Sequence, residues 1–328
     1  MSILISLLPV IIFLLVLNSL DTFKLLRPAI IFSAILWGSI CALLAYPINT
    51  YFFSVFDEYI VIGFTAPFVE EFLKFTFVAL LFYKNKLGFL ADALIIGFAS
   101  GTGFSIIENI FYLNQINSHN LMLWAIRGLG TAIMHGTATA ISAVITQNLI
   151  SKREIVKSGY LVLGLAIGFL IHAVFNNFFL SPLFQTVLQI SILPLIVIQI
   201  FTKSEKSLRN WMEEQSSSEF ELLRMIKKGD FKSTRAGKYI LSIKSRFTPE
   251  VILDMLAYIQ LNIELSIKAK GILLMKEAGF EPEKEEEIKS MLNELDFLSK
   301  SIGKTGMRTL SPIIRLSGKD IWKLNLLK

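Results

Sequence analysis

Seven hydrophobic stretches, each long enough to cross a lipid bilayer, dominate the first 202 residues of the chain. A hydrocarbon core about 30 Å thick takes about 20 residues at the helical rise. Backbone amides in lipid must find partners within their own segment or in a closed barrel, and continuous apolar runs favour helices over a barrel. The sequence therefore predicts an all-α polytopic membrane bundle with spans at about 2–18, 29–47, 59–82, 89–113, 121–149, 159–180 and 183–201.

Charge divides the chain into two parts. Residues 1–202 hold 9 Lys/Arg and 8 Asp/Glu, whereas residues 203–328 hold 23 and 18. With 53% hydrophobic residues and a single cysteine, the composition excludes a disordered chain and a disulfide-stabilised secreted domain. We expect a transmembrane domain over 1–202 and a cytosolic helical domain over 203–328, the latter with helices at about 205–229, 235–246, 249–278 and 283–300.

The positions of the basic residues favour one orientation in the membrane. The first, third and fifth loops and the segment after the seventh span carry lysine or arginine, whereas the other loops carry neither. Basic loops tend to stay in the cytosol. We therefore expect a multi-pass protein of the cell membrane with its N-terminus outside and its C-terminus in the cytosol. Its surroundings are the lipid bilayer, and no nucleic-acid partner is expected.

The third span carries three ionisable side chains within five residues. Each costs about 2.5 to 3.5 kcal/mol near the bilayer centre unless it has a partner or a function. In Glu70-Glu71-Phe72-Leu73-Lys74 the lysine lies three and four positions after the carboxylates, so all three side chains share one helix face. Pairing can neutralise only one carboxylate, which leaves the other available for chemistry.

Three further spans place polar groups on closely packed faces. In the fourth, Gly97, Gly101 and Ser105 recur every four residues, a stripe that lets a neighbouring helix approach, and Glu108 lies close to it. The fifth and sixth spans also carry polar groups on a closely packed face. We expect the polar groups of all these spans to converge on one site. Those of the fifth and sixth spans are His135, Thr139, His172 and Asn176.

Two other charged residues are given no catalytic role. Arg127 is expected to snorkel towards the outer interface, with its aliphatic stem in lipid and its guanidinium in the polar layer. Asp92 is expected to cap or anchor the inner start of the fourth span. The polar site is therefore expected to form without either of them.

Carboxylates close to imidazoles, where water is excluded, can act as a general base or hold a divalent metal that activates water. Both arrangements give hydrolysis. A serine mechanism would need a Gly-x-Ser-x-Gly turn, which the spans lack, and an aspartyl dyad would need two intramembrane Asp, where only Asp92 occurs. Two other classes stay open: an ion- or proton-coupled transporter, although the chain shows no related halves, and a non-catalytic membrane scaffold.

Five motifs follow one another along four successive spans: Glu70-Glu71-x-x-Lys74, Asp92 before Gly97, Gly103-Phe104-x-x-x-Glu108-Asn109, His135, and His172-x-x-x-Asn176. In this order they resemble the PrsW family of membrane proteases, which is similar in turn to the CAAX prenyl endopeptidase and bacteriocin-processing superfamily. The resemblance covers about residues 60–180. It implies an intramembrane endopeptidase whose partner is a membrane-anchored protein substrate, the family's best-known role being the first cleavage of an anti-sigma factor.

Within that family the residues would take different roles. One of Glu70 and Glu71 is expected to be the general base, with the other paired to Lys74. A second set would bind a metal or polarise the scissile carbonyl, with Asn176 as an orienting amide or oxyanion donor; this set is Glu108, His135 and His172. The cofactor is expected to be a divalent metal such as zinc, or none. Counting from the span ends places the site between mid-membrane and the outer leaflet, so cleavage is expected on the outer side.

Overall fold

Long apolar helices form the first part of the chain, which confirms the predicted all-α membrane bundle. The computed structural model describes residues 1–23, 25–116, 118–153, 156–280 and 286–314, and these residues form helices and turns without a β-strand. The helices are α1 Ser2–Leu20, α2 Pro28–Val55, α3 Ala66–Tyr83, α4 Leu90–Gln115, α5 Ala132–Arg153, α6 Ser158–Asn176 and α7 Pro182–Lys227.

Among the described residues, six helical segments are long and apolar enough to cross a membrane, one fewer than predicted. The predicted third span, 59–82, is divided into the short helix Glu58–Ile60, a π-helical turn and α3. α3 has 18 residues and carries the three ionisable side chains, so charge rather than length separates it from the others. The six segments are Ser2–Leu20, Pro28–Val55, Leu90–Gln115, Leu121–Lys152, Ser158–Asn176 and Pro182–Met212.

Two of the four helices that carry the predicted site, α3 and α5, are each preceded by a π-helical turn. Val61–Thr65 leads into α3, and Ile126–Thr131 comes after the short helix Leu121–Ala125 and leads into α5. After each turn a backbone N–H bonds to the carbonyl five residues earlier, Ala66 to Val61 and Ala132 to Arg127. Such a turn holds one residue more than an α-helical turn and changes the rotational register of the helix after it. Hydrophobic periodicity did not reveal either turn.

α4 lies at the centre of the bundle and is buried on nearly every side. It packs most extensively against α5 and α2, and it also contacts α1 and α3. Gly101 shows why small residues are needed, because a Cβ atom there would collide with the backbone carbonyl of His135 on α5. The predicted close approach along the small stripe of the fourth span is therefore confirmed, and it brings α5 within reach of the polar residues of α3.

The chain divides into two compact units, Met1–Glu205 and Lys206–Lys328. Within the second unit, α8 Arg235–Ile243, α9 Pro249–Glu277 and α10 Glu286–Ile314 share a hydrophobic core that includes Met255, Leu265 and Leu310. α10 extends past the predicted end at 300 as two helical segments joined at a kink, where Gly303 takes a non-helical φ of 72°. The predicted start of this helix at 283, and residues 315–328, lie outside the described residues. The predicted division between 202 and 203 stays a prediction.

Candidate active site

Glu71 and Lys74 form an ion pair in the interior of the bundle. Lys74 Nζ donates to Glu71 Oε1, and both side chains are fully shielded from solvent. Their spacing of three positions on α3 places them on one face, as predicted. Thr139 Oγ1 of α5 donates a second hydrogen bond, of 2.8 Å, to Glu71 Oε2. Glu71 is therefore the carboxylate that neutralises Lys74.

Glu71 also orients the imidazole of His172 on α6. His172 Nδ1 lies 3.0 Å from Glu71 Oε1. Since an ionised carboxylate can only accept a hydrogen bond, we assign the imidazole proton to Nδ1 and the lone pair to Nε2. Nε2 in turn lies 3.7 Å from Glu70 Oε2. One carboxylate thus fixes the ring so that its lone pair faces the other carboxylate.

Glu70 has different surroundings from its neighbour. Its Oε1 accepts a hydrogen bond of 3.0 Å from Asn49 Nδ2 of α2, while its Oε2 faces His172. The side chain of Glu70 is 12% exposed, whereas that of Glu71 is 0% exposed. Adjacent positions on a helix point about 100° apart, so the two carboxylates cannot share the same partners. Of the two carboxylates, only Glu70 keeps some accessible surface.

His135 on α5 lies between Lys74 and Glu108. Lys74 Nζ is 3.1 Å from His135 Nδ1, and Glu108 Oε2 is 3.2 Å from His135 Nε2. An ammonium group can only donate, so we assign the proton of this imidazole to Nε2, which donates to Glu108. The rings of His135 and His172 are nearly perpendicular, with centroids 4.7 Å apart. The structure therefore brings both predicted histidines together with all three predicted glutamates.

The predicted snorkelling of Arg127 is wrong. Its Nη2 donates to Glu108 Oε2 at 3.2 Å, and its Nε donates to Asn109 Oδ1 at 3.0 Å. The guanidinium also lies over the ring of Tyr112, 3.8 Å from the centroid. A carboxylate, an amide and an aromatic face within reach replace the polar interface as its partners. Arg127 thus holds the carboxylate that contacts His135.

Asn176 and Asp92 have their own partners. Asn176 Nδ2 donates to the backbone carbonyl of Ile62 at 3.2 Å, so its role as an oxyanion donor stays a prediction. Asp92 Oδ2 accepts from the backbone N–H groups of Gly88 and Phe89, at 2.9 and 3.0 Å. The predicted capping role of Asp92 is therefore confirmed.

Asn49 is a part of the site that the sequence patterns did not predict. The available signal was an amide inside an apolar stretch, soon after Pro47 of α2. Its Nδ2 is bound to Glu70, while its Oδ1 is buried and has no hydrogen-bond partner among the described residues. Asn49 adds a neutral, directional contact to the carboxylate of Glu70.

Three of these residues could hold a metal ion. Glu70, His135 and His172 each offer one ligand atom, and these atoms lie within 4.8 Å of one another. Two imidazoles and one carboxylate form the protein part of many catalytic zinc sites, and Glu71 behind His172 is the outer carboxylate that such an imidazole usually has. The residues fit a divalent metal, provided that His135 Nε2 exchanges its contact with Glu108 for the ion. The predicted set named Glu108 as the carboxylate in place of Glu70.

A polytopic helical bundle with carboxylates and imidazoles gathered in its interior has the groups that a hydrolase working within the membrane requires. A family model described as PrsW family intramembrane metalloprotease matches residues 27–201. This is more than half of the chain, and the chain belongs to that family. It is therefore an intramembrane endopeptidase that acts on peptide substrates, which decides against the transporter and scaffold alternatives. No curated protein and no solved structure matches the chain.

Replacing Lys74 with Met is expected to lower the free energy of unfolding by about 3 to 5 kcal/mol, because Glu71 would remain buried without its cation. Unfolding in a detergent mixture, followed by circular dichroism, measures this change. Lys84→Met is the matched control, since Lys84 is exposed just after α3, and we expect a change within about 0.5 kcal/mol. A Lys74→Met protein as stable as the control would contradict an ionised Glu71.

Proposed function

We propose that the chain cuts membrane-anchored proteins, such as anti-sigma factors, with a water molecule activated at Glu70. The observation that carries this proposal is the separation of two adjacent carboxylates. Glu71 is enclosed by Lys74, Thr139 and His172, whereas Glu70 is partly exposed and has a neutral amide partner. A general base must be reachable by water and able to take up a proton. Glu70, with its accessible surface and its neutral partner, suits both conditions better than the enclosed and ion-paired Glu71.

The proposed reaction uses Glu70 twice. It first takes a proton from water while the water oxygen attacks the scissile carbonyl carbon, and it later returns that proton to the amine when the C–N bond breaks. Negative charge on the carbonyl oxygen needs donors, and His135 Nε2–H and the Asn176 amide are the proposed ones. Glu71 and Lys74 act indirectly, because Glu71 holds the imidazole of His172 and Lys74 holds that of His135.

We also propose that Glu70, His135 and His172 hold a divalent metal such as zinc. Support comes from the ligand atoms within 4.8 Å of one another and from membership of a metalloprotease family. When bound, the ion supplies Lewis acidity that activates water and polarises the carbonyl. Glu70 is then a ligand instead of a free base. Glu71 still orients His172 through Nδ1, and Arg127 still holds Glu108 beside His135.

The orientation and the division of the chain are part of the same proposal. The basic loops favour an external N-terminus, with 1–202 as the protease domain and 203–328 as a cytosolic helical domain. Glu108 lies seven residues before the end of α4, about 10 Å at the helical rise, and His172 lies four residues before the end of α6, about 6 Å. In this orientation both ends are external, so the site lies towards the outer leaflet.

Glu70→Gln is expected to lower kcat by about 10² to 10⁴, because the amide can neither accept the proton from water nor bind a divalent ion as the carboxylate would. The assay measures cleavage of a tagged single-span reporter protein, reconstituted with the enzyme in lipid vesicles. Glu71→Gln is expected to lose activity as well, through misplacement of His172. Glu58→Gln, at an exposed position before the first π-helical turn, is the matched control. Full cleavage by Glu70→Gln at normal expression would sink the proposal, whatever the activity of Glu71→Gln.

Elemental analysis of purified, active protein is expected to find about one divalent metal per chain, as a single three-ligand site requires. His172→Ala is expected to lose the metal, whereas His119→Ala, in an exposed loop, should retain it. Chelation should abolish cleavage, and adding the metal back should restore it. Full activity without bound metal and without chelator sensitivity would remove the metal proposal and leave Glu70 as a free base.

The cut in the reporter is expected near the external end of its transmembrane segment, because the site lies towards the outer ends of α4 and α6. Mass spectrometry of the new terminus locates the cut. A reporter with its single span in the reverse orientation serves as the control and should be cut near the same membrane face. A cut at the cytosolic end in both reporters would show that the proposed orientation is wrong.

A further inference from the structure

Arg127 and His135 contact the same oxygen of Glu108, each at 3.2 Å. They are eight positions apart, with Arg127 inside the π-helical turn Ile126–Thr131 and His135 beyond it. In a regular α-helix, eight positions would place the two side chains about 80° apart. One extra residue in the turn makes them equivalent to positions seven apart, which lie within about 20° of each other. The π-helical turn therefore puts both residues on the face of Glu108.

A side-chain amide from another helix holds this turn. Gln189 Nε2 of α7 donates to the backbone carbonyl of Gly130 at 3.1 Å. Gly130 permits the approach, because a Cβ atom there would collide with Thr186 of α7. The amide of Gln189 thus adds a hydrogen bond from a neighbouring helix to a carbonyl within the π-helical turn.

The first π-helical turn is held in the same way. Asn177 Nδ2, at the end of α6, donates to the carbonyl of Gly63 at 3.1 Å, and Asn176 donates to that of Ile62. In both turns an amide outside the helix meets a carbonyl inside the turn, and the next helix carries a site residue. The repeated arrangement indicates that these amides maintain the register of the site helices.

We propose that Gln189 is a positioning residue that keeps Arg127 and His135 together on Glu108 by holding the π-helical turn at Gly130. α5 is fixed by its packing against α4 and α6. Relaxation of the turn to α-helix would therefore rotate the segment before it, by about 100°, and carry Arg127 away from Glu108. This inference rests on the proposed role of His135 in the reaction.

The test compares Gln189→Leu with Gln199→Leu, the same change at an exposed position of the same helix. Both enzymes are reconstituted with the tagged single-span reporter, and kcat, KM and the melting temperature are measured. Gln189→Leu is expected to lower kcat about tenfold or more, as expected for a misplaced site group, with KM within about twofold. Its melting temperature should match that of Gln199→Leu.

Deletion of Gly130 in the Gln189→Leu protein provides the sharper test. The deletion shortens the π-helical turn by one residue and removes the carbonyl that Gln189 binds. A regular α-helix then places Arg127 and His135 seven positions apart on one face. We expect kcat to return to within about threefold of the wild type. If the hydrogen bond from Gln189 served stability alone, deletion of Gly130 would not restore kcat.

Two results would overturn this inference: a wild-type kcat for Gln189→Leu, or a double variant no more active than Gln189→Leu. If Gln189→Leu does not accumulate as folded protein, the double variant is still expected to accumulate and cleave, and its failure overturns the inference too. His135→Gln is measured in parallel. Full activity of His135→Gln means that the proposed function has failed, whereas an inactive His135→Gln beside a fully active Gln189→Leu overturns this inference alone.

Discussion

The ion pair of Glu71 and Lys74 is the constraint on which the site depends. Two charges shielded from solvent cost several kcal/mol each unless every donor and acceptor is satisfied. Here the remaining partners come from two other helices, Thr139 on α5 and His172 on α6, while Lys74 reaches His135. Satisfying one buried pair on α3 therefore fixes both imidazoles. The arrangement of the site results from neutralising charge inside an apolar bundle.

The ion pairs and hydrogen bonds of the site form a continuous series across the bundle. At one end of this series, one carboxylate has no full counter-charge. Three carboxylates meet two cations: Arg127 holds Glu108, Lys74 holds Glu71, and Glu70 is stabilised by an amide and faces an imidazole. A carboxylate without a full counter-charge is costly in a membrane and favours a cation or a proton as its partner. The missing counter-charge supports the proposed role of Glu70 as a base or a metal ligand.

The sequence was sufficient for features that depend on local spacing. Hydropathy predicted the apolar helices, and the three-residue spacing predicted the pair of Glu71 with Lys74. Features that depend on tertiary contacts were missed: Asn49 and Arg127 are single polar residues whose partners lie on other helices. The π-helical turns were missed because one extra residue barely changes the hydrophobic periodicity of a span that is apolar on most sides. The broken third span was missed for the same reason.

The position of the site along its helices also bears on how a helical substrate can be cut. Peptide bonds in the middle of a transmembrane helix are hydrogen-bonded, and the attacking water must compete with these backbone hydrogen bonds. Near a helix end the last four carbonyls lack an intrahelical donor, so they are open to attack without unwinding the whole span. Glu108 and His172 lie within two turns of the ends of α4 and α6, and Glu70 comes after a π-helical turn near the same end of the bundle. A site at this depth can reach a frayed substrate terminus while its own charges remain enclosed by the helices around α4.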